Sequence, residues 1–359
     1  MNTVTQIIIL MASVSTLTFF ISYFLVITKK WHGFMTTDEV KGVQKFHTLP
    51  TPRVGGIPIV FVFLLTSIML SDEISFLWLS IGFASLPIVV AGLLEDIKKS
   101  GSINFRFFSA ILSGFLFIII TDYNIEKLGI IGLDFFLSFY FLSIIFTSLS
   151  ICGIINSINI IDGFNGLASG TSIIILIGFS SLSFIIGDYP ITIASIILVS
   201  ILMGFFLLNF PYGKIFLGDG GAYFIGFSIA CMAVCTYGRN DGLSPWACIL
   251  ICAYPITETI FSIIRKIKRP GHHPGYPDKL HLHMLIYRSF SRQISKNYFN
   301  SDLRNPITSL ILWMFPLFNV VSCIFVYNNN ILIFSMIIIH LILYIIVYRK
   351  VSLNYKKTI

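Results

Sequence analysis

Charged side chains are scarce in this sequence. Asp, Glu, Lys and Arg together make up 11% of its 359 residues, against about 25% in an average soluble domain. The few present are clustered. Between the clusters run apolar stretches such as FISYFLVI at 20–27 and ILIFSMIIIHLILYIIV at 331–347. Such stretches cannot face water all round, which excludes a soluble protein. The sequence also lacks any Cys-x-x-Cys pair. Its cysteines, Cys152, Cys231, Cys235, Cys248, Cys252 and Cys323, all lie in apolar segments and read as small buried hydrophobes. There is no internal repeat, no low-complexity tract and no stretch that reads as a soluble domain, so residues 1–359 read as one integral membrane domain. The N-terminal segment has no basic start, and its apolar run is longer than a signal-peptide core, so a first transmembrane helix is expected there. The formal net charge of +8 does not point to nucleic acid. The basic residues sit in loops between apolar segments, which is the pattern of membrane orientation.

A bilayer core takes about 20 apolar residues per helix. That rule predicts an all-α polytopic membrane protein with about eleven transmembrane helices. They fall near 5–28, 54–71, 74–94, 105–121, 133–155, 167–187, 190–209, 220–237, 245–264, 306–327 and 331–348. With the N-terminus outside and the C-terminus cytoplasmic, the inward segments hold all of the 24 Lys and Arg residues except Lys127 and Arg239. The positive-inside rule asks for this bias. The polar motifs fall on the same side, so the active site is expected at the cytoplasmic face. A transporter would sooner place its polar residues near mid-membrane on interrupted helices.

Four motifs carry candidate chemistry. Glu95 and Asp96 end the third predicted helix, followed by Lys98 and Lys99; adjacent carboxylates there can bind a hard cation or act as a base. In NSINIIDGFNGLASG, Asn156, Asn159, Asp162 and Asn165 recur every three residues, which lines one side of a helix. Their oxygens and amides can hold a metal, a phosphate or a sugar. In IFLGDGGAYF, Asp219 stands among glycines before an apolar helix, where backbone amides favour anions and a carboxylate can hold Mg²⁺. The segment HHPGYPDKLHLHML brings His272, His273, His281 and His283 close to Lys279 and Arg269, a set better suited to a diphosphate than to zinc. Weaker signals are His47 and Arg53 in HTLPTPRVGG, and Glu258. A membrane-buried acid is a functional candidate by default, or a partner for Arg265 or Lys266. Carboxylates, a Gly-rich turn and cations at one membrane surface are what phosphoryl transfer needs.

Over roughly residues 30–290 these ordered motifs resemble those of the polyprenyl-phosphate N-acetylhexosamine-1-phosphate transferases. The resemblance implies transfer of a sugar 1-phosphate, GlcNAc first, from a UDP-N-acetylhexosamine to undecaprenyl phosphate. UMP would leave, and a cell-envelope glycan such as lipopolysaccharide O-antigen would be started in a bacterial inner membrane. It implies Asp219 and Asp162 as ligands of Mg²⁺, with Mn²⁺ as a substitute. It implies Glu95 and Asp96 as the paired acids, the first as base for the lipid phosphate; the crowding of Asp96, Lys98 and Lys99 at the same helix end leaves Glu95 open instead as an organiser of the metal and the lipid headgroup. Asn156, Asn159, Asn165, Arg106, Lys279, His281 and His283 are then substrate-binding. Partners are the two substrates and membrane lipid, with a homodimer open and no nucleic acid. The sequence departs from the family pattern in three places: Glu95 replaces an Asp, Asn165 replaces an Asp, and the histidine run ends in Met284. PDKLHLH is closer to the GlcNAc branch than to the phospho-MurNAc-pentapeptide branch, which is the alternative enzyme; a non-enzymatic lipid transporter is the alternative class.

Overall fold

A computed structural model of the protein describes residues 3–38, 50–98, 102–268, 280–292, 294–295 and 303–357. The described residues are helical almost throughout, because a backbone in lipid must satisfy its own hydrogen bonds. In order the elements are α1 (Thr3–Ile27), α2 (Lys29–Thr36), β1 (Thr37–Asp38), β2 (Thr51–Pro52), α3 (Gly56–Thr66), α4 (Asp72–Lys98) and α5 (Ile103–Thr121). Next come α6 (Leu133–Leu137), α7 (Tyr140–Ile161), α8 (Leu167–Ile186), α9 (Tyr189–Asn209), α10 (Gly218–Gly238), α11 (Pro245–Ile251) and α12 (Ala253–Ile267). The last are α13 (Leu282–Ile286), α14 (Arg304–Leu312), α15 (Met314–Val326) and α16 (Asn330–Lys357). The two short strands pair antiparallel, Thr37 with Pro52 and Asp38 with Thr51.

Among the described residues nine helices are long and apolar enough to cross a membrane, α14 and α15 counting as one, or ten with the bent pair α11–α12. Two of the eleven expected spans do not form as single long helices. The predicted 54–71 span is a helix of Gly56–Met69, shorter than the roughly 20 residues a bilayer core requires, because the polar run Ser71, Asp72 and Glu73 follows it. The predicted 245–264 span is broken by 79° between α11 and α12. Pro255 has no N–H to give the carbonyl four residues back, at Ile251, where α11 ends. The predicted 133–155 span also shifts: a short α6 precedes α7, which runs on to Ile161 and carries Asn156 and Asn159 in its last turns.

Helix α10 is the axis of the bundle. Every residue from Gly218 to Thr236 is buried, with α3, α4, α7 and α8 packed around it. Glycines allow the close approach. A Cβ on Gly92 would lie 2.5 Å from the Gly220 Cα, and one on Gly226 would lie 2.8 Å from the Ile155 Cα. At the C-terminal end of α10, Arg239 pairs with Asp188 at 3.0 Å and Glu73 at 2.8 Å. At its N-terminal end, about 30 Å away at ~1.5 Å per residue, Arg53, Asp96, Arg106 and Asn159 gather around Asp219. The described residues of the motifs that hold Arg53, Asp96, Asn159 and Asp219 therefore share one end of the bundle.

Candidate active site

The segment after β2 is strapped to the turn before α10. Phe216 N–H donates to Pro52 O at 2.8 Å, Gly55 N–H to Phe216 O at 2.9 Å and Gly56 N–H to Leu217 O at 2.9 Å. Gly218 then turns with φ +77, where a Cβ would lie 2.5 Å from Arg53 O and 2.6 Å from Asp96 Oδ2. Only glycine fits that turn. The first amides of α10 have no helical partner. Asp96 takes two of them: Asp219 N–H donates to Oδ1 at 2.8 Å and Gly220 N–H to Oδ2 at 2.9 Å. Arg53 Nε stands 3.2 Å from the same Oδ1. Asp96, 2% exposed, is thus turned into the protein, where it anchors the helix start that carries Asp219.

The Asp219 carboxylate faces the other way. Its Oδ1 accepts from Arg53 Nη2 at 2.6 Å and Asn159 Nδ2 at 2.9 Å, and its Oδ2 from Arg106 Nη1 at 3.4 Å. Glu95 Oε1 lies 3.9 Å from the same Arg106 nitrogen. Asp162 follows the end of α7 and keeps some exposed surface. Burial and the Asp219 charge raise it to about 7, against the pull of Arg53. Two carboxylates that repel each other beside an Asn amide oxygen form an all-oxygen donor set, which fits a hard divalent cation. Such a cation would share Asp219 with the donors already on it.

The structure separates the predicted site residues. Asp219, Asp162, Asn159, Arg106, Asp96 and Glu95 meet at one end of α10. Asn156 turns away, its Nδ2 donating to Cys152 O at 2.8 Å on its own helix. Asn165 holds loops together: Nδ2 donates to Pro211 O at 2.9 Å, its N–H to Asn305 Oδ1 at 2.7 Å, and its carbonyl accepts from Ser309 Oγ at 2.7 Å. Its side chain packs the loop instead of lining the site. His283 is buried beneath the loop, edge-on to Phe164 with ring centroids 5.6 Å apart. Burial holds it down to about 3, so it is neutral. His281 stacks on His283, with centroids 5.2 Å apart. Lys279, His47, Lys99, His272, His273 and Arg269 lie outside the described residues.

Arg53 is the residue that sequence reasoning undervalued. Its contacts with Asp96 and Asp219 are 43 and 166 positions away, and its local signal was the loop HTLPTPRVGG with two prolines and two glycines. Asn209 was missed altogether; its Oδ1 accepts from Gly166 N–H at 2.8 Å and fixes the Asp162 loop. Nothing local marks an asparagine at a helix end for that role.

A sequence model of glycosyl transferase family 4 matches residues 78–237, a stretch that holds Glu95, Asp96, Arg106, Asn159, Asp162 and Asp219. The chain is similar to a probable undecaprenyl-phosphate N-acetylglucosaminyl 1-phosphate transferase of Bacillus subtilis, 31% identical over 246 residues, which are 67% of this chain and 66% of that protein. A decaprenyl-phosphate N-acetylglucosaminephosphotransferase of Mycolicibacterium smegmatis is 28% identical over 267 residues, 66% of this chain and 65% of that one. The chain thus spans just under two thirds of the length of these two relatives. An undecaprenyl-phosphate alpha-N-acetylglucosaminyl 1-phosphate transferase of Thermotoga maritima is 27% identical over 280 residues, 78% of this chain and 80% of its own.

Proposed function

We propose, from the premise that this chain belongs to glycosyl transferase family 4, that it transfers a sugar 1-phosphate from a UDP-sugar to undecaprenyl phosphate and releases UMP. N-acetylglucosamine is the leading sugar, supported by the names of the relatives. The observation that carries the reading is Asp219 at the buried start of α10, facing Arg53, Arg106 and Asn159 with Asp162 beside it. An apolar bundle with this polar end suits one lipid substrate and one that is highly anionic.

The chemistry follows from these side chains. The lipid phosphate, with a second pKa of about 6, is largely a dianion at neutral pH and needs little help from a base. Arg53 and Arg106 offer planar guanidinium donors to phosphate oxygens. Asn159 orients Asp219, and Asp96 keeps the turn under it rigid. Glu95, near Arg106, is placed to steer that guanidinium. Mg²⁺ held by Asp219 and Asp162 would neutralise diphosphate oxygens as charge moves to the leaving UMP.

The topology that goes with this reading has eleven crossings. They include the short α3 and the bent α11–α12, with the N-terminus outside and the site at the cytoplasmic face of a bacterial inner membrane. It is supported by the segregation of all Lys and Arg except Lys127 and Arg239 to one side. The test is purified full-length protein with undecaprenyl phosphate, Mg²⁺ and a panel of UDP-sugars. UMP and a lipid-linked sugar diphosphate are expected from at least one donor, and UMP release from none of them overturns the proposal.

A further inference from the structure

Glu258 lies inside α12 with no exposed surface. A carboxylate buried there is costly unless donors meet it. Three groups do. Leu282 N–H donates to Oε1 at 3.0 Å, the Tyr344 hydroxyl donates to Oε2 at 2.7 Å, and His281 Nδ1 lies 3.0 Å from Oε1. An ionised carboxylate only accepts, so a charged Glu258, already taking two donors, requires the proton of the third contact to sit on Nδ1. Nε2 is then the ring nitrogen left for a ligand.

The grip reaches the site. The His281 ring lies parallel to that of His283, 7° between the planes. Nε2 of His283 lies 3.4 Å from where a Cβ on Gly163, the neighbour of Asp162, would stand. The orientation of His281 is therefore transmitted to the floor of the Asp162 loop. The last helix, α16, closes the assembly from behind: Tyr344 holds Glu258, and the Tyr348 hydroxyl donates to Leu280 O at 3.2 Å. Glu258, His281 and Tyr344 all lie outside the stretch that matches the family.

We infer that Glu258 is a positioning residue, which with Tyr344 fixes His281 in one orientation with its proton on Nδ1, so that Nε2 is presented to a phosphate oxygen of the nucleotide sugar. In that tautomer Nε2 carries the lone pair, so it meets a phosphate oxygen through a shared proton, and the Glu258 carboxylate on the far side of the ring faces the charge such a proton brings. The identity of the ligand rests on the proposed function; the Glu258–His281 pair does not.

The test uses full-length protein in lipid nanodiscs, labelled with ¹⁵N at histidine, with His281→Gln to assign the signal. A protonated Nδ1 on His281 is expected. A bare Nδ1 overturns the inference; it would appear if Glu258 donated the proton instead. It would also appear if a metal ion sat among Glu258, His281 and His283, whose ligand-type atoms lie within 4.8 Å of one another. Glu258→Gln keeps the shape but weakens the grip. Both tautomers should then appear, and turnover should fall about tenfold or more, the scale on which outer partners of an oriented histidine act. Unchanged turnover and KM in that variant also overturn the inference. Should Glu258→Gln not fold, Tyr344→Phe carries the same comparison with a smaller loss. Wild-type protein that shows the Nδ1 proton yet turns over no UDP-sugar refutes the proposed function and leaves the pair intact.

Discussion

Asp96→Asn separates an anchoring carboxylate from one that takes part in the chemistry. In the native protein two amides of α10 and Arg53 Nε converge on this carboxylate, whose side chain is 1% exposed. An asparagine oxygen can accept one of those amides, and its NH₂ then confronts the other. A buried N–H left unpaired costs about 1–3 kcal/mol. Loss of the negative charge at a helix N-terminus costs about 0.3–1 kcal/mol more, and up to ~2 where partly buried. Together they predict a destabilisation of about 2–4 kcal/mol, with turnover reduced because Asp219 is no longer held. The assay is thermal unfolding in one fixed detergent, run beside turnover, with Asp219→Asn as the control for a carboxylate that faces the site. If Asp96 were a base or a metal ligand, its near-isosteric amide would abolish turnover and leave the unfolding midpoint in place. An unchanged midpoint in Asp96→Asn refutes the anchoring argument.

Asp219→Ala should abolish turnover, and chelator-treated wild-type protein should regain it with Mg²⁺ or Mn²⁺; full activity in excess chelator contradicts the metal assignment. His283 is held at about 3 when folded, against 6.5 as its ordinary value. Its contribution to stability is therefore complete above about 6.5 and declines as pH falls toward 3, because the unfolded chain takes up a proton that the folded one refuses. The slope approaches about 1.4 kcal/mol per pH unit, and thermal unfolding of His283→Gln from pH 8 to 5 should show a shallower decline than wild type. Asn165→Asp removes the donor to Pro211 O and sets a carboxylate against a carbonyl. A loss of roughly 1–3 kcal/mol is expected, and a midpoint equal to wild type would show that the loop does not depend on that bond.

Membrane residence, and the gathering of the Asp96, Asn159 and Asp219 motifs at one end of the bundle, were legible in the sequence. Both follow from consecutive residues: transfer of a helix into lipid depends on the apolarity of some twenty neighbours, and loop charge on a few more. Even there, packing intervened. The span after Pro245 reads as continuous, yet the missing N–H of Pro255 lets it bend by 79°. The surroundings of the acids depend on packing between helices. Asp96 reads as half of a catalytic pair beside Glu95, but it meets the amides of residues 219 and 220, more than 120 positions away. Glu258 reads as a functional buried acid or as a partner for Arg265 or Lys266, about two helical turns along. Its donors instead are His281, Leu282 and Tyr344, at separations of 23, 24 and 86, while Arg265 donates to Ser262 and Tyr348. A carboxylate is a base, a metal ligand or an anchor according to the donors packed around it, and in this protein those donors come from other helices, whose arrangement no local pattern encodes.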